Sequence, residues 1–546
     1  MPLREVVERC HRVPVLEQTL GHHATDVSGR AGHENRHGIV EANRCKRPRT
    51  EQARESVLSM SVAAHRNDPP PGRSVMHEAQ VRGRRAPRHR IVGLTLLAAV
   101  ACTVASAGCA GGSPEPSAAS SAVVYDGARL VDGTGTPAID AARLVIDDGA
   151  VAAVGPQDEV ESPPGATVVD LTGRTVMPAL VNLHGHVGFQ RGLTYDAANY
   201  TRENIVDHLN RYAYYGVGVI VSLGTDAGDA WSEIRRDQEA GTLGGARLFT
   251  AGRGLARPNA GPGAAALRPS AYGVTSQEEG RRQVQRLAAQ GVAFVKIWVD
   301  DRGGSVEKLE PDLYRAIIDE AHGHGLDVIA HVFYHDDAEE LVAAGVDGFA
   351  HLVRDREMDD ALVAAIVEND VFVMPNIGIS ERGRHTAPPP WLATPILTET
   401  VAPAVLARAT DTFASRAADA AERAARSYEQ MERSLAKLHA AGAELVLGSD
   451  SGVQDHFYGF SAHRELELMV VAGLNPMDAI ATATSRSADR LGLDDSGRLT
   501  PGARADFIVL DANPLDDITN TRRIADVYLG GSAVDRTALR AGWTAP

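Results

Sequence analysis

Between residues 180 and 447 short apolar runs alternate with helix-like stretches, and this alternation limits the fold more than any other feature of the chain. The runs fall around 180–183, 218–223, 247–251, 293–298, 328–330, 348–350, 371–374 and 444–447. Each is too short for an ordinary helix and is bounded by turn-forming residues, so each reads as a strand, and the stretches between them read as helices. Repeated strand–helix units place the strands parallel, with helices covering them. Eight such units close into a (β/α)₈ TIM-like barrel, and the expected fold class is α/β. In that architecture the active site is built just past the C-terminal ends of the strands.

The two flanks have a different texture. Runs at 128–132, 142–149, 151–155 and 167–171 read as strands separated by Gly, Pro and Asp turns, and the pattern returns at 505–511 and 526–531. A small β-sandwich formed by both ends of the mature chain is expected, from 122–178 and 496–546, around a barrel at 179–495. Within the barrel, 385–402 reads as an insertion after the seventh strand and 408–441 as one long amphipathic helix, a lid over the mouth or a structural elaboration.

Ahead of these lies an address. Arg82, Arg84, Arg85, Arg88 and Arg90 precede an apolar stretch from Ile91 that ends in small residues before Cys109, so 76–109 reads as a signal peptide. The apolar run falls short of the roughly 20 residues that a spanning helix needs. Ser106-Ala107-Gly108-Cys109 resembles a lipoprotein cleavage box, with Ser106 in place of the usual aliphatic residue, and Ala105-Ser106-Ala107 also fits ordinary cleavage. The expectation is an exported protein anchored by lipid at Cys109, or otherwise secreted, with 110–121 as a flexible tether. Residues 1–75 show no sustained period and are expected to be disordered or absent from the native protein, with translation starting at Met76.

Charge excludes one class of partner. Residues 1–90 carry 17 Lys and Arg against 10 Asp and Glu, whereas the remainder carries 38 against 61. So acidic a body lacks the clustered cations that bind phosphates, and nucleic acid is not an expected partner. Contact with a membrane is expected only through the N-terminal lipid. The four cysteines, Cys10, Cys45, Cys102 and Cys109, all precede the barrel. A metal site there must use nitrogen and oxygen donors.

Such donors stand at the strand ends. The first strand ends in Val181-Asn-Leu-His184-Gly-His186, and an i, i+2 spacing on a strand puts both rings on one face. His322-Gly323-His324 has the same spacing but sits at a helix end, where a surface pair is expected. The fourth strand carries Lys296 among Phe294, Val295, Ile297 and Trp298, the fifth ends in His331, the sixth in His351, and the eighth leads to Asp450. Taken singly, each has a bland reading: a snorkelling lysine, a packed histidine. Jointly, four histidines, a lysine and an aspartate at the ends of strands one, four, five, six and eight make coincidence a poor explanation.

This constellation resembles the amidohydrolase superfamily, in particular its binuclear-metal subgroup with a carboxylated lysine and its imidazolonepropionase-like and prolidase-like members. The flanks agree, from Val169-Asp-Leu-Thr-Gly-Arg-Thr-Val-Met-Pro178 before the first histidine pair to Pro501-Gly-Ala-Arg-Ala-Asp-Phe-Ile-Val-Leu-Asp-Ala-Asn-Pro514 near the end. Ala179 stands where the family usually has glycine. The resemblance implies that His184, His186 and Asp450 hold one divalent ion and His331 and His351 a second, with Lys296, carboxylated by CO₂, and a hydroxide bridging them. Zinc is the first choice, and Mn²⁺, Co²⁺ or Fe²⁺ would suit the same ligands. Two ions lower the pKa of water and polarise a carbonyl, while Asp450 serves as general base and then general acid.

The expected activity is hydrolysis of an amide or peptide-type C–N bond in a small-molecule substrate: a dipeptide, an N-acyl amino acid or a cyclic amide. Tyr334, His335 and Arg354 are candidate substrate contacts, against the blander readings of structural side chains and, for Arg354 and Arg356, surface ion pairing. Glycines 252, 254, 261 and 263 suggest a mobile loop after the third strand. Two other readings stand beside this one. A mononuclear deaminase would carry His-x-x-Glu after the fifth strand, where this chain has Tyr334. A non-catalytic exported binding lipoprotein would have no reason to keep Lys296 and Asp450.

Overall fold

The computed structural model describes residues 121–453 and 455–544, all within the unit Cys109–Pro546. The expectations for 1–75, for the export signal at 76–109 and for the tether at 110–120 lie outside the described residues. Among the described residues no helix is long and apolar enough to cross a membrane.

Seven regular strands build the barrel: Leu180–Gly185, Val217–Ser222, Arg247–Thr250, Phe294–Val299, Asp327–Val332, Gly348–Ala350 and Phe372–Met374. The first three pair in parallel with one another, as do the last four. A bond from Ala293 N to Thr250 O, 2.8 Å, joins the third strand to the fourth. The eighth position is taken by 444–447, where Val373 N donates to Glu444 O at 2.8 Å and Leu183 N to Leu447 O at 2.8 Å, so the ring closes back onto the first strand. Unlike the regular strand expected from its sequence, this segment forms no continuous ladder, only the isolated bridge Val373↔Leu445 and the bond to Leu183. The amide of Leu447 turns to Ser487 Oγ, 2.9 Å away, which takes it out of the ladder.

Side-chain alternation divides the strands between two cores. Val181, Leu183, Val219, Val221, Phe294, Ile329, Phe372 and Val446 fill the inside of the ring. Leu180, Ile220, Leu248, Val295, Val328 and Leu445 face the surrounding helices.

The two ends of the chain meet as expected. Val123–Leu130, Ile139–Asp147, Ala150–Pro156, Thr167–Asp170 and Thr175–Pro178 join Phe507–Leu510, Ile524–Leu529 and Ser532–Ala533 in one eight-stranded sheet. Leu130, Leu144 and Val176 from the front share a hydrophobic cluster with Phe507 and Val509 from the back. Pro178 pairs with Phe507, and Ala179 N donates to Asp506 O at 2.9 Å. The sheet thus delivers the chain into the first barrel strand one residue before it begins.

The stretch expected as one helix at 408–441 is two, Pro403–Ala414 and Ala418–Ala440. The break falls where Arg416 turns its guanidinium onto the carbonyls of Arg382 and His385. Anchoring the chain to the loop after the seventh strand outweighs continuing the helix.

Candidate active site

Strand alternation alone brings only part of the site to the mouth. Lys296 follows Phe294 by two residues and His331 follows Ile329 by two, so both inherit the inward direction. His184 and His351 do not: alternation would turn Leu183 and Ala350 inward and these two histidines outward. A register shift between Asn182 and Gly185 corrects the first. A left-handed backbone, φ +79°, corrects the second. Asn376 at φ +46° and Asp450 at φ +52° share that conformation. For residues other than glycine it costs on the order of 1–3 kcal/mol each, and such strain gathers at functional sites.

All six candidate ligands, His184, His186, Lys296, His331, His351 and Asp450, line one cavity of about 550 Å³. Asp450 is its hub. Oδ1 lies 2.9 Å from His186 Nε2 and 3.4 Å from His184 Nε2, and Oδ2 lies 3.9 Å from His351 Nε2. One donor atom each from His184, His351 and Asp450 falls within 4.8 Å of the others, close enough to share one ion. On the far side His331 Nε2 meets Asp300 Oδ2 at 2.9 Å, which leaves Nδ1 as the ring nitrogen for another partner.

Burial sets the charges. It pushes His331 down to about 3 and holds His184 and His351 well below the ordinary histidine value, so these rings are neutral, as metal binding requires. Burial alone would raise Asp450, but His184 and His186 outweigh it and keep the carboxyl below the usual range. Lys296 is pushed down to about 7 by burial, and its Nζ has no hydrogen-bond partner. A partnerless buried ammonium is costly, whereas a neutral amine is the form that captures CO₂. The donor set and the orphaned amine both fit a metal centre bridged by a modified lysine.

Around these residues stands a second layer that the sequence reading missed. Asn376, just past the seventh strand, lies 3.1 Å through Oδ1 from His184 Nδ1 and accepts from His351 N at 3.0 Å, so one side chain holds the His184 ring and the His351 backbone. Thr225 Oγ1 is 2.8 Å from His186 Nδ1. Asp300 sets His331 and is itself paired with Arg302 at 2.7 Å. The strand-end rule that singled out the histidines also reaches Asp300, directly after the fourth strand, and, read two or three residues further, Asn376 past the seventh and Thr225 past the second.

Several expectations change. Tyr334 and His335 do not line the cavity. The Tyr334 hydroxyl donates to Asp301 Oδ1 at 2.7 Å, and His335 is held between Arg356, 3.0 Å from its Nδ1, and the amide of Asp359. Arg356 pairs with Asp336 and Asp355 at the surface, whereas Arg354 does line the cavity. Of the glycines after the third strand, Gly252, Gly254 and Gly261 are closely packed, a Cβ on Gly254 lying 2.3 Å from the Trp298 ring, whereas Gly263 has only an ordinary contact at 3.5 Å. Gly224, at φ +90°, likewise leaves room for the stem of Lys296, whose Cγ a Cβ would approach to 2.6 Å. Apart from Gly263, these positions serve close approach, not slack. The long helix Ala418–Ala440 reaches the site too, since its Ala424, Ser427 and Tyr428 form one wall of the cavity, whereas the insertion 385–402 does not line it.

Comparison with known proteins agrees with this geometry. A sequence profile described as "Amidohydrolase family" matches residues 175–534. An uncharacterized protein of Mycobacterium tuberculosis is 26% identical over 253 residues, 45% of this chain and 60% of that protein, so the match spans about three fifths of the relative's length. Imidazolonepropionase of Deinococcus deserti is 36% identical over 98 residues, 17% of this chain and 24% of the enzyme. Among solved structures, a Xaa-Pro dipeptidase with methionine bound in its active site superposes with a TM-score of 0.61 at 22% identity, covering 76% of this chain and 99% of its own, and it shares the fold.

Proposed function

The chain belongs to the amidohydrolase family, and from that premise we propose that its barrel mouth hydrolyses an amide-type C–N bond of a small molecule: a dipeptide, an N-acyl amino acid or a cyclic amide. The observation that carries the reading is the convergence of four histidines, one ionised carboxylate and one partnerless buried lysine on a single cavity. His184, His186 and Asp450 would hold one divalent ion, and His331 with His351 a second. Lys296 would serve both after its Nζ adds to the carbon of CO₂ and releases a proton to solvent. Zinc suits this nitrogen and oxygen donor set. When bound, such ions polarise the scissile carbonyl and bring the pKa of water toward neutrality.

The chain's own residues do the rest. Asp450 Oδ2 is the less engaged oxygen of the hub and takes the proton of the attacking water, then returns it to the departing nitrogen. Asp300 and Asn376 hold His331, His184 and the His351 backbone in place through the exchange. Export through 76–109 would put this chemistry outside the cytoplasm, and incorporation of a labelled fatty acid that disappears in Cys109→Ser tests the lipid anchor.

The test of function is a hydrolysis screen of zinc-loaded protein over dipeptides, N-acyl amino acids and lactams, with Asp450→Asn as control. Turnover of at least one class that the variant loses is the expected result. No turnover of any class by fully metallated protein would contradict the proposal.

A further inference from the structure

The geometry points to Arg354 as the anchor of a substrate carboxylate, which narrows the substrate to an N-acylated amino acid or a dipeptide with a free C-terminal carboxylate. The inference rests on the amide-hydrolase reading of the same cavity and adds to it what the bound molecule must carry.

Arg354 stands three residues after His351 and lines the cavity with the candidate ligands. Its backbone is pinned at both ends: its N donates to Phe333 O at 2.8 Å, and its O accepts from Ser427 Oγ at 2.7 Å. The guanidinium carbon lies 5.6 Å from the centroid of the Phe333 ring. Its Nε is shut off from solvent without a hydrogen-bond partner. Among the described residues no carboxylate forms an ion pair with it. The acids that act on it through space, Asp300 and Asp450, are engaged by His331 and by His184 with His186.

The other cavity arginine also has a partnerless Nε but differs in having a counter-ion. Arg302 pairs with Asp300 at 2.7 Å and donates to Gly261 O at 2.7 Å. Two guanidiniums therefore face one cavity, and of the two only Arg302 has a carboxylate in contact with it among the described residues. Taking a guanidinium out of water without an anion is unfavourable, and a ligand carboxylate relieves that cost. The guanidinium fork presents parallel N–H groups that match both oxygens of a carboxylate, so orientation comes with affinity. Leu267, Trp298 and Ile379 supply an apolar wall for a hydrocarbon side chain or acyl group. A lactam without a carboxylate leaves Arg354 unpaired, and this sets cyclic amides behind the other two classes.

The experiment uses zinc-loaded full chain with two matched probes, N-acetyl-L-leucine and its primary amide, in hydrolysis assays and in calorimetric binding. Wild type is expected to prefer the carboxylate by about 10- to 100-fold, in line with a charge-assisted pair in a sheltered site. In Arg354→Met the KM for the carboxylate rises and the ratio between probes collapses toward one, while Arg354→Lys recovers only part of it. Unchanged metal content in both variants shows that the site is still assembled. A methionine variant that keeps the wild-type preference overturns the inference. If wild type hydrolyses neither probe, binding of the carboxylate that exceeds the amide and is lost in Arg354→Met upholds the anchor while counting against hydrolysis. Equal binding, or no binding, of the two probes overturns the anchor itself.

Discussion

The two sides of the barrel mouth are organised differently. On the side of strands one and eight, Asp450 draws His184 and His186 to within 3.4 and 2.9 Å of one oxygen, and the chain itself completes the cluster. On the side of strands four, five and six, His331 is tied back to Asp300, His351 Nδ1 has no partner, and Lys296 Nζ has none either. One side is held together by an anion of the chain. The other has neutral donors, and its one carboxylate, Asp300, is taken up by His331 and Arg302, so it lacks a free anion to gather them. In the proposed centre a carboxylated Lys296 supplies it, so the second side is completed by chemistry and not by folding.

The strongest way to break that contrast is at the hub. Asp450→Asn should lower kcat by about three orders of magnitude, within the range for a general acid–base group, with retained secondary structure by circular dichroism as the control. Next, Asp300→Asn removes the charge that orients His331 and pairs with Arg302. A chelator competition should show the weaker ion bound about 10- to 100-fold less tightly and the tighter ion hardly moved. Asn376→Ala acts on both sides, because its Oδ1 serves His184 and the His351 amide. Here both stages of metal loss should shift together by about tenfold, and a shift confined to one stage would show that the sides are not joined through this residue. The smallest effect concerns pH. With Lys296 pushed down to about 7, its amine is mostly protonated at pH 6 and mostly free at pH 8. With dissolved CO₂ held constant, the initial rate of reactivation of metal-free protein by zinc should rise by up to about tenfold across that interval, following the free amine. A rise only near pH 10 would mean an ordinary lysine.

Much of this was legible in the sequence because strand periodicity and strand ends are local features. Seven of eight strands stand where their apolar runs predict them, and the six candidate ligands converge as the strand-end rule requires. What stayed hidden depends on backbone conformation and on distant partners. Nothing local in Ala350-His351 announces a φ of +79°, yet without it the ring would face the helices. The irregular eighth segment owes its form to Ser487, 40 residues away. Tyr334 and His335 looked like substrate contacts by proximity in sequence to His331. They are drawn off by Asp301 and Arg356, whose positions follow from the fold. Arg354 and Arg356 are indistinguishable as residue types, and only the cavity separates the lone guanidinium from the surface ion pair.

Whether Lys296 supplies the missing anion is tested most directly by metal analysis of wild type and Lys296→Ala side by side with turnover. About two ions per chain are expected in active wild type, and in the variant a fall to about one or fewer with activity lost alongside. An alanine variant that keeps the wild-type metal content and undiminished turnover would contradict a bridging role for Lys296.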